Sequence, residues 1–245
     1  LFTRDNLDSC LKELAKEFRK INGSRIPAEI ILIGGASVLI NYGFREMTYD
    51  MDAIIQASSS MKDVINHVGD RLGLPNGWLN TDFMKTSSYT PKLIQYSKYY
   101  KTFSNVLRVR TVSAEYLIVM KLMAGRQYKN DLSDVVGILL EQQNNGKKIH
   151  LDDIKRVADE LYGGYDKIPE SSRIFIEATY QNLDLEELYK KIREEERQNK
   201  DILLEFQDHY PEVLNGDNLA DILKAAKARK NAAFPPLDAY ADHNV

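Results

Sequence analysis

Leu7, Cys10, Leu11, Leu14, Phe18 and Ile21 recur at helical spacing, which predicts an amphipathic helix over residues 5–21. Gly23 and Pro27 end it. Residues 29–33 are a short apolar run read as a strand. Gly34-Gly35 turns the chain, and residues 36–41 read as a helix. Residues 51–56 predict a second strand. Ser58-Ser59-Ser60 can cap a helix over residues 61–72. Pro75-Asn76-Gly77 is a loop, and residues 78–84 read as a helical turn. Residues 106–112 alternate as a third strand, with Arg108 and Arg110 on one face. Ser113 caps a helix over residues 114–126, and a further helix runs from about 131 to 143, stopped by Asn144-Asn145-Gly146.

From residue 150 onward the periodic segments are all helical: 151–161, 171–180, 185–206 and 218–230. The third is heavily charged and keeps a sparse apolar stripe of Leu188, Ile192, Ile202 and Phe206, the pattern of a solvated helix that packs on one face. Lys224, Lys227, Arg229 and Lys230 gather in the last helix, where they would extend a basic surface or meet a partner protein. AAFPPLDAYADHNV reads as a loosely held tail. No internal repeat is found. The pattern predicts an α+β fold: a small mixed sheet flanked by helices over residues 1–146, an all-α region over 147–232, and a tail over 233–245.

Composition narrows the class. The 245 residues suit one large domain or two small ones, and 43% hydrophobic with 28% charged residues implies a packed core. The formal net charge is −3, so a globally basic nucleic-acid binder is not indicated. Cys10 is the single cysteine; no intrachain disulfide can form, which is consistent with an intracellular, cytoplasmic protein. The charged first twenty residues contain no apolar core of a secretory signal. No apolar run approaches the ~20 residues of a membrane span. The chain begins at Leu1 rather than Met, so a start further upstream is expected.

Residues 86–105 differ in kind. Lys92, Lys98 and Lys101 alternate with Tyr89, Tyr96, Tyr99, Tyr100 and Phe103, and no acid occurs among them. With Arg108 and Arg110 just beyond, these cations could track a phosphate backbone while the rings stack bases. The alternative is an ordinary tyrosine-rich loop packed on the helical part.

The chemistry concentrates in residues 30–55, IILIGGASVLINYGFREMTYDMDAII. On a strand, residues two apart point to the same face about 6.5–7 Å from one another. Asp50 and Asp52 would then aim two desolvated carboxylates at one place, which calls for a compensating charge. Hard oxygen ligands of this sort suit Mg²⁺. The glycine turn into a helix start leaves backbone N–H groups facing an anion, and the Ser37 hydroxyl sits where it could add a donor. The structural alternative is a turn cap at Asp50 and an ion pair from Asp52 to Arg45 or Lys121. A dinucleotide fingerprint and a P-loop are both excluded, because neither G-x-G-x-x-G nor Gly-Lys-Ser/Thr follows the pair.

The order apolar-Gly-Gly, short helix, Asp-apolar-Asp resembles the signature of the polymerase-β-like nucleotidyltransferase superfamily. Gly34, Gly35, Ala36 and Ser37, followed by Gly43, Arg45, Thr48, Asp50 and Asp52, resemble the branch of abortive-infection (AbiEii-like) toxins and their relatives. LGLPNGWLN (72–80) and the segment 113–139, with Lys121, Arg126, Asp131 and Asp134, look like two further elements of that branch. The resemblance covers residues from about 28 to 140.

The resemblance implies a Mg²⁺-dependent transfer of a nucleoside monophosphate from a nucleoside triphosphate to an RNA (tRNA) or protein hydroxyl. It implies one or two metal ions at Asp50 and Asp52, and phosphates at Gly34, Gly35 and Ser37. Lys121 and Arg126 would reach the triphosphate, and Asp131 would orient them or assist the nucleophile. A cognate antitoxin in a bacterial toxin–antitoxin pair would be a further partner. Asp134 is read as a helix-dipole acid. Many polymerase-β-like enzymes carry a third carboxylate on a later strand, where this chain offers Arg108 and Arg110; a nucleotide- or partner-binding module with weak or no turnover is therefore the alternative.

Overall fold

The computed structural model describes residues 1–216 and 218–233, the last five by backbone alone. Residues 234–245 of the expected tail, and the side chains of Arg229 and Lys230, lie outside the described residues.

The fold is α+β, as the periodicity predicts. Helix α1 (Arg4–Asn22) buries Leu7, Cys10, Leu11, Leu14 and Phe18 on one stripe. Strand β1 (Ala28–Leu32) leads into α2 (Gly34–Asn41), then β2 (Met51–Gln56) and α3 (Met61–Leu72). Strands β3 (Leu79–Asn80), β4 (Ser97–Phe103) and β5 (Leu107–Val112) complete a sheet of order β3-β2-β1-β5-β4. Strand β1 pairs antiparallel with β2 and parallel with β5, so the sheet is mixed.

Because β1 is central, both its faces are apolar. Ala28, Ile30 and Leu32 join the cluster under α1 and α3. Ile31 and Ile33 join a second cluster on the opposite face. That face is covered by α4 (Ala114–Ala124), α5 (Asp131–Asn144), α6 (Leu151–Tyr162) and α7 (Glu170–Gln181). Helix α8 (Leu185–His209) packs on α5, and α9 (Leu219–Ala233) packs on α8. Among the described residues no helix is long and apolar enough to cross a membrane.

Two strands depart from the sequence reading. Residues 86–105 are not one loop: β4 pairs with β5 in a hairpin whose turn residues Ser104 and Asn105 both take positive φ, 50° and 58°. Such a two-residue turn matches the twist of the paired strands. Residues 78–84 are a buried Trp78, the short β3 and a 3-10 turn (Asp82–Lys85). The Trp78 indole N–H donates to the Ile65 carbonyl at 3.0 Å, which fixes β3 against α3 and alongside β2.

Among the described residues, two side chains of α8 hydrogen-bond to α5: Glu196, and Arg193, whose Nη1 donates to Ser133 Oγ at 3.5 Å. The first N–H groups of a helix have no intrahelical acceptor. Glu196 Oε1 accepts from the Leu132 and Ser133 N–H groups at 2.8 and 3.3 Å. Its Oε2 is buried without a hydrogen-bond partner. Burial pushes the Glu196 carboxyl up from 4.5 to about 7, against the N–H groups that favour its ionised form. A raised acid binds more protons folded than unfolded, so its contribution is full below pH 4.5 and lost as pH rises through about 7. Wild-type stability is expected to fall by on the order of 1–3 kcal/mol across that window through this group. Urea unfolding from pH 4.5 to 8 checks it: Glu196→Gln should flatten the profile, and an unchanged slope would contradict the assignment.

Candidate active site

Antiparallel pairing brings the end of β1 to the start of β2. The Ile33 N–H donates to the Asp52 carbonyl at 2.9 Å, so the glycine turn lies directly against Asp52. Gly34 has φ +55°, and a Cβ there would stand 3.4 Å from Asp52 Oδ2. Gly35 must also lack a side chain: a Cβ would meet Thr48 Oγ1 at 2.5 Å and Arg45 Nη2 at 2.9 Å. Arg45 and Thr48 thus close over Gly35 from the segment that leads to the acids.

Asp50 is not on the strand. The Thr48 hydroxyl donates to the Asp50 carbonyl at 3.2 Å, and residues 49–50 form a bend. Strand pairing starts one residue later, where the Met51 N–H donates to the Trp78 carbonyl at 2.8 Å. Asp50 is therefore exposed while Asp52 is half-buried; the expectation of two desolvated carboxylates on one strand face is corrected to one. Both still line the same cleft of about 510 Å³, together with Gly34, Lys121, Arg126 and Asp131. Burial pushes the Asp52 carboxyl up, and the Asp50 charge adds to it. Neither acid has an ion-pair partner among the described residues, so the pairing of Asp52 with Arg45 or Lys121 does not occur.

Ser37 stands elsewhere. It is fully buried, its hydroxyl is hydrogen-bonded to Thr111 Oγ1, and it accepts from the Val112 N–H at 3.2 Å. It ties α2 to β5 and faces away from the cleft.

The wall opposite the glycine turn is a buried ion network. Asp131 and Asp134, one helical turn apart at the start of α5, are 2% and 1% exposed. Lys121 Nζ lies 3.0 Å from Asp131 and 2.8 Å from Asp134. Arg126 Nε lies 2.7 Å from Asp131, and Arg45 Nη1 lies 2.5 Å from Asp134. Burial opposes ionisation of Asp131, but Lys121 and then Arg126 outweigh it and hold the carboxyl at about 2. Burial also opposes the Lys121 charge, and Asp134 with Asp131 outweighs it, so this lysine stays protonated. Asp134, read from sequence as a dipole acid, is the bridge between Arg45 and Lys121. The signal for it was two buried cations facing a D-x-x-D pair.

Gly125 ends α4 with φ +54° and turns the chain into residues 126–130. This loop brings Arg126, Tyr128 and Lys129 to the cleft. Desolvation pushes the Lys129 ammonium down, and the Arg126 charge adds to that. Lys129 and Tyr128 were not identified from sequence.

The expected nucleic-acid strip is largely engaged within the protein. Lys92 donates to the Glu160 carbonyl at 2.8 Å, and Lys101 pairs with Asp8 at 2.8 Å. Arg108 and Arg110 both pair with Glu29, at 3.7 and 3.4 Å. Lys98 alone of the five has no such partner among the described residues. Strand β4 lies three strand spacings from β2, roughly 14 Å.

Comparison with known families gives one match. A family described as nucleotidyltransferase of unknown function (DUF6036) matches residues 9–173, more than half of the chain. No curated protein and no solved structure matches it.

The ion network makes a stability claim. Asp134→Ala would leave Lys121 and Arg45 short of a partner in a buried setting. Such a loss typically costs about 3–5 kcal/mol. Urea denaturation is expected to show a drop of that size, against less than about 1 kcal/mol for exposed Asp50→Ala. Equal small losses would mean that the network holds little of the fold.

Proposed function

The chain belongs to this nucleotidyltransferase family, and from that premise we propose that it moves a nucleoside monophosphate from a nucleoside triphosphate to a hydroxyl, with Mg²⁺ held at Asp50 and Asp52. The observation that carries this reading is the carboxylate pair, without an ion-pair partner among the described residues, set in a cleft against the glycine turn. The donor set fits the metal. Two carboxylates supply hard oxygens, and water with phosphate oxygens completes the shell of a Mg²⁺ ion. A cation there would also relieve the burial and repulsion that raise Asp52. When bound, it would stabilise the charge that builds on the phosphate oxygens.

In the transfer, the acceptor oxygen bonds to the α-phosphorus, the bond from that phosphorus to the bridging oxygen breaks, pyrophosphate leaves with the bonding pair, and the hydroxyl proton passes to solvent water. Gly34 and Gly35 open α2, where free N–H groups and the helix dipole favour phosphate. Arg126 is about one-third exposed at the cleft and keeps donors for an anion, while Asp131 fixes its orientation. Lys121 adds positive potential from within the wall.

The acceptor is proposed to be an RNA, such as tRNA, or a protein hydroxyl, and the setting an abortive-infection type toxin with a cognate antitoxin. The support for these finer points is the motif resemblance alone. One observation favours a second reading, a nucleotide-binding module with weak turnover. Among the described residues no group of three His, Cys, Asp or Glu side chains could hold a metal ion. Asp131 is engaged with Lys121 and Arg126, and Asp82, which also lines the cleft, pairs with Lys85 at 2.8 Å.

A transfer assay separates the two. Each of the four labelled ribonucleoside triphosphates is incubated with Mg²⁺, bulk tRNA and cell protein. Label is expected to move with the wild type, and Asp50→Ala with Asp52→Ala should abolish transfer, a loss of at least about 10³-fold, with unchanged circular dichroism. Chelating the metal should have the same effect. Triphosphate binding with no labelled product in any lane would select the second reading.

A further inference from the structure

Helix α8 lies wholly beyond the family-matched segment, yet one of its faces forms part of the active-site wall. Glu196, Asn199, Lys200 and Leu203 follow one another at spacings of three, one and three, which is a single helical face. Glu196 caps α5, whose first residue is Asp131. Asn199 Nδ2 donates to the Gln127 carbonyl at 2.6 Å and so holds the loop that carries Arg126 and Lys129. Leu203 is buried at the cleft. Lys200 lines the same lobe as Gly34, Gly35, Asp50 and Asp52, with its Nζ 5.1 Å from the centre of the Tyr49 ring.

The charges in this lobe leave Lys200 a role. The wall network holds three cations, Arg45, Lys121 and Arg126, against two acids, Asp131 and Asp134. Asp50 and Asp52 add two negative charges with no ion-pair partner among the described residues, Lys129 adds one positive charge, and a triphosphate would bring more negative charge. Lys200 has no acidic partner among the described residues. The ring face of Tyr49, the residue that precedes Asp50 in sequence, lies under the Lys200 ammonium, an arrangement that favours a cation without neutralising it. A compact ammonium that lines the same lobe as the glycine turn suits a phosphate group rather than a base edge.

We propose that Lys200 is a phosphate ligand of the bound nucleotide, and that α8 is thereby part of the nucleotide site rather than an appended helix. This rests on the nucleotidyltransferase reading above. Lys200 and Tyr49 form the arm that meets the phosphate chain. Glu196 and Asn199 are positioning residues that fix α8 against α5 and the 126–130 loop.

The test is equilibrium binding to the full chain, with Mg²⁺ present. A non-hydrolysable nucleoside triphosphate is compared with the matching monophosphate. Lys200→Gln is expected to weaken the triphosphate about tenfold or more and the monophosphate less than about twofold. Lys200→Arg should recover most of the loss, and added salt should narrow the gap between wild type and Lys200→Gln. Because Lys200 is exposed, both variants should fold. Wild-type binding with Lys200→Gln unchanged, or with both ligands weakened alike, would overturn the role of Lys200 alone. Absence of triphosphate binding in the wild type itself would overturn the nucleotidyltransferase reading, and this proposal with it.

Discussion

Two buried aspartates at the start of α5 hold three cations, two of them buried and the third open to the cleft, and the cleft depends on them. Asp134 joins Arg45 to Lys121, and Asp131 joins Lys121 to Arg126. The three cations come from three places: the segment before the acid pair, the buried side of α4, and the loop after it. Ion pairs of this kind add little net stability over an apolar packing, because desolvation opposes the attraction. What they fix is placement. Separating any of these segments would leave a buried charge without its partner, which is strongly unfavourable. Arg45 in turn lies over Gly35, and so the network reaches the glycine turn beside Asp52.

The sheet supplies the other half of the constraint. A strand followed at once by Gly-Gly, paired antiparallel with one that begins at Met51, must bring the turn and the acids together. The WLN element reinforces this, since Trp78 docks on α3 and places Asn80 in register with Asp52. Gly69 leaves the room for that indole; a Cβ there would stand 2.9 Å from the Trp78 Nε1. The glycine turn with its acids, the WLN element and the helix pair α4 and α5 therefore each have a structural task in or behind the same cleft.

Much of this was legible in the sequence, for physical reasons. Strands β1, β2 and β5 and the main helices show clear periodicity because one or both of their faces are buried. Strand β4 does not: it is an edge strand, buried mainly at its ends, with a register shift between Tyr99 and Lys101, and its turn is Ser-Asn rather than a glycine pair. Gly34, Gly35, Asp50, Asp52, Lys121, Arg126 and Asp131 could be singled out because motif spacing fixes them locally, and all line the cleft. Ser37 was misplaced because, on a helix of eight residues, the motif gives its position but not the face it presents. Glu196, Asn199 and Lys200 gave no signal. Their partners lie more than sixty residues away in sequence, and a charged helix reads as solvated whatever it touches.

On the function proposed here, Asp50 and Asp52 bind a divalent metal beside the glycine turn. The most direct measurement is anomalous diffraction from crystals grown with Mn²⁺ and a non-hydrolysable nucleoside triphosphate. The expected result is an anomalous peak within coordination distance of both carboxylates, with phosphate density running from it toward Gly34 and Gly35. A peak elsewhere, or triphosphate bound away from Asp50 and Asp52, would contradict the account.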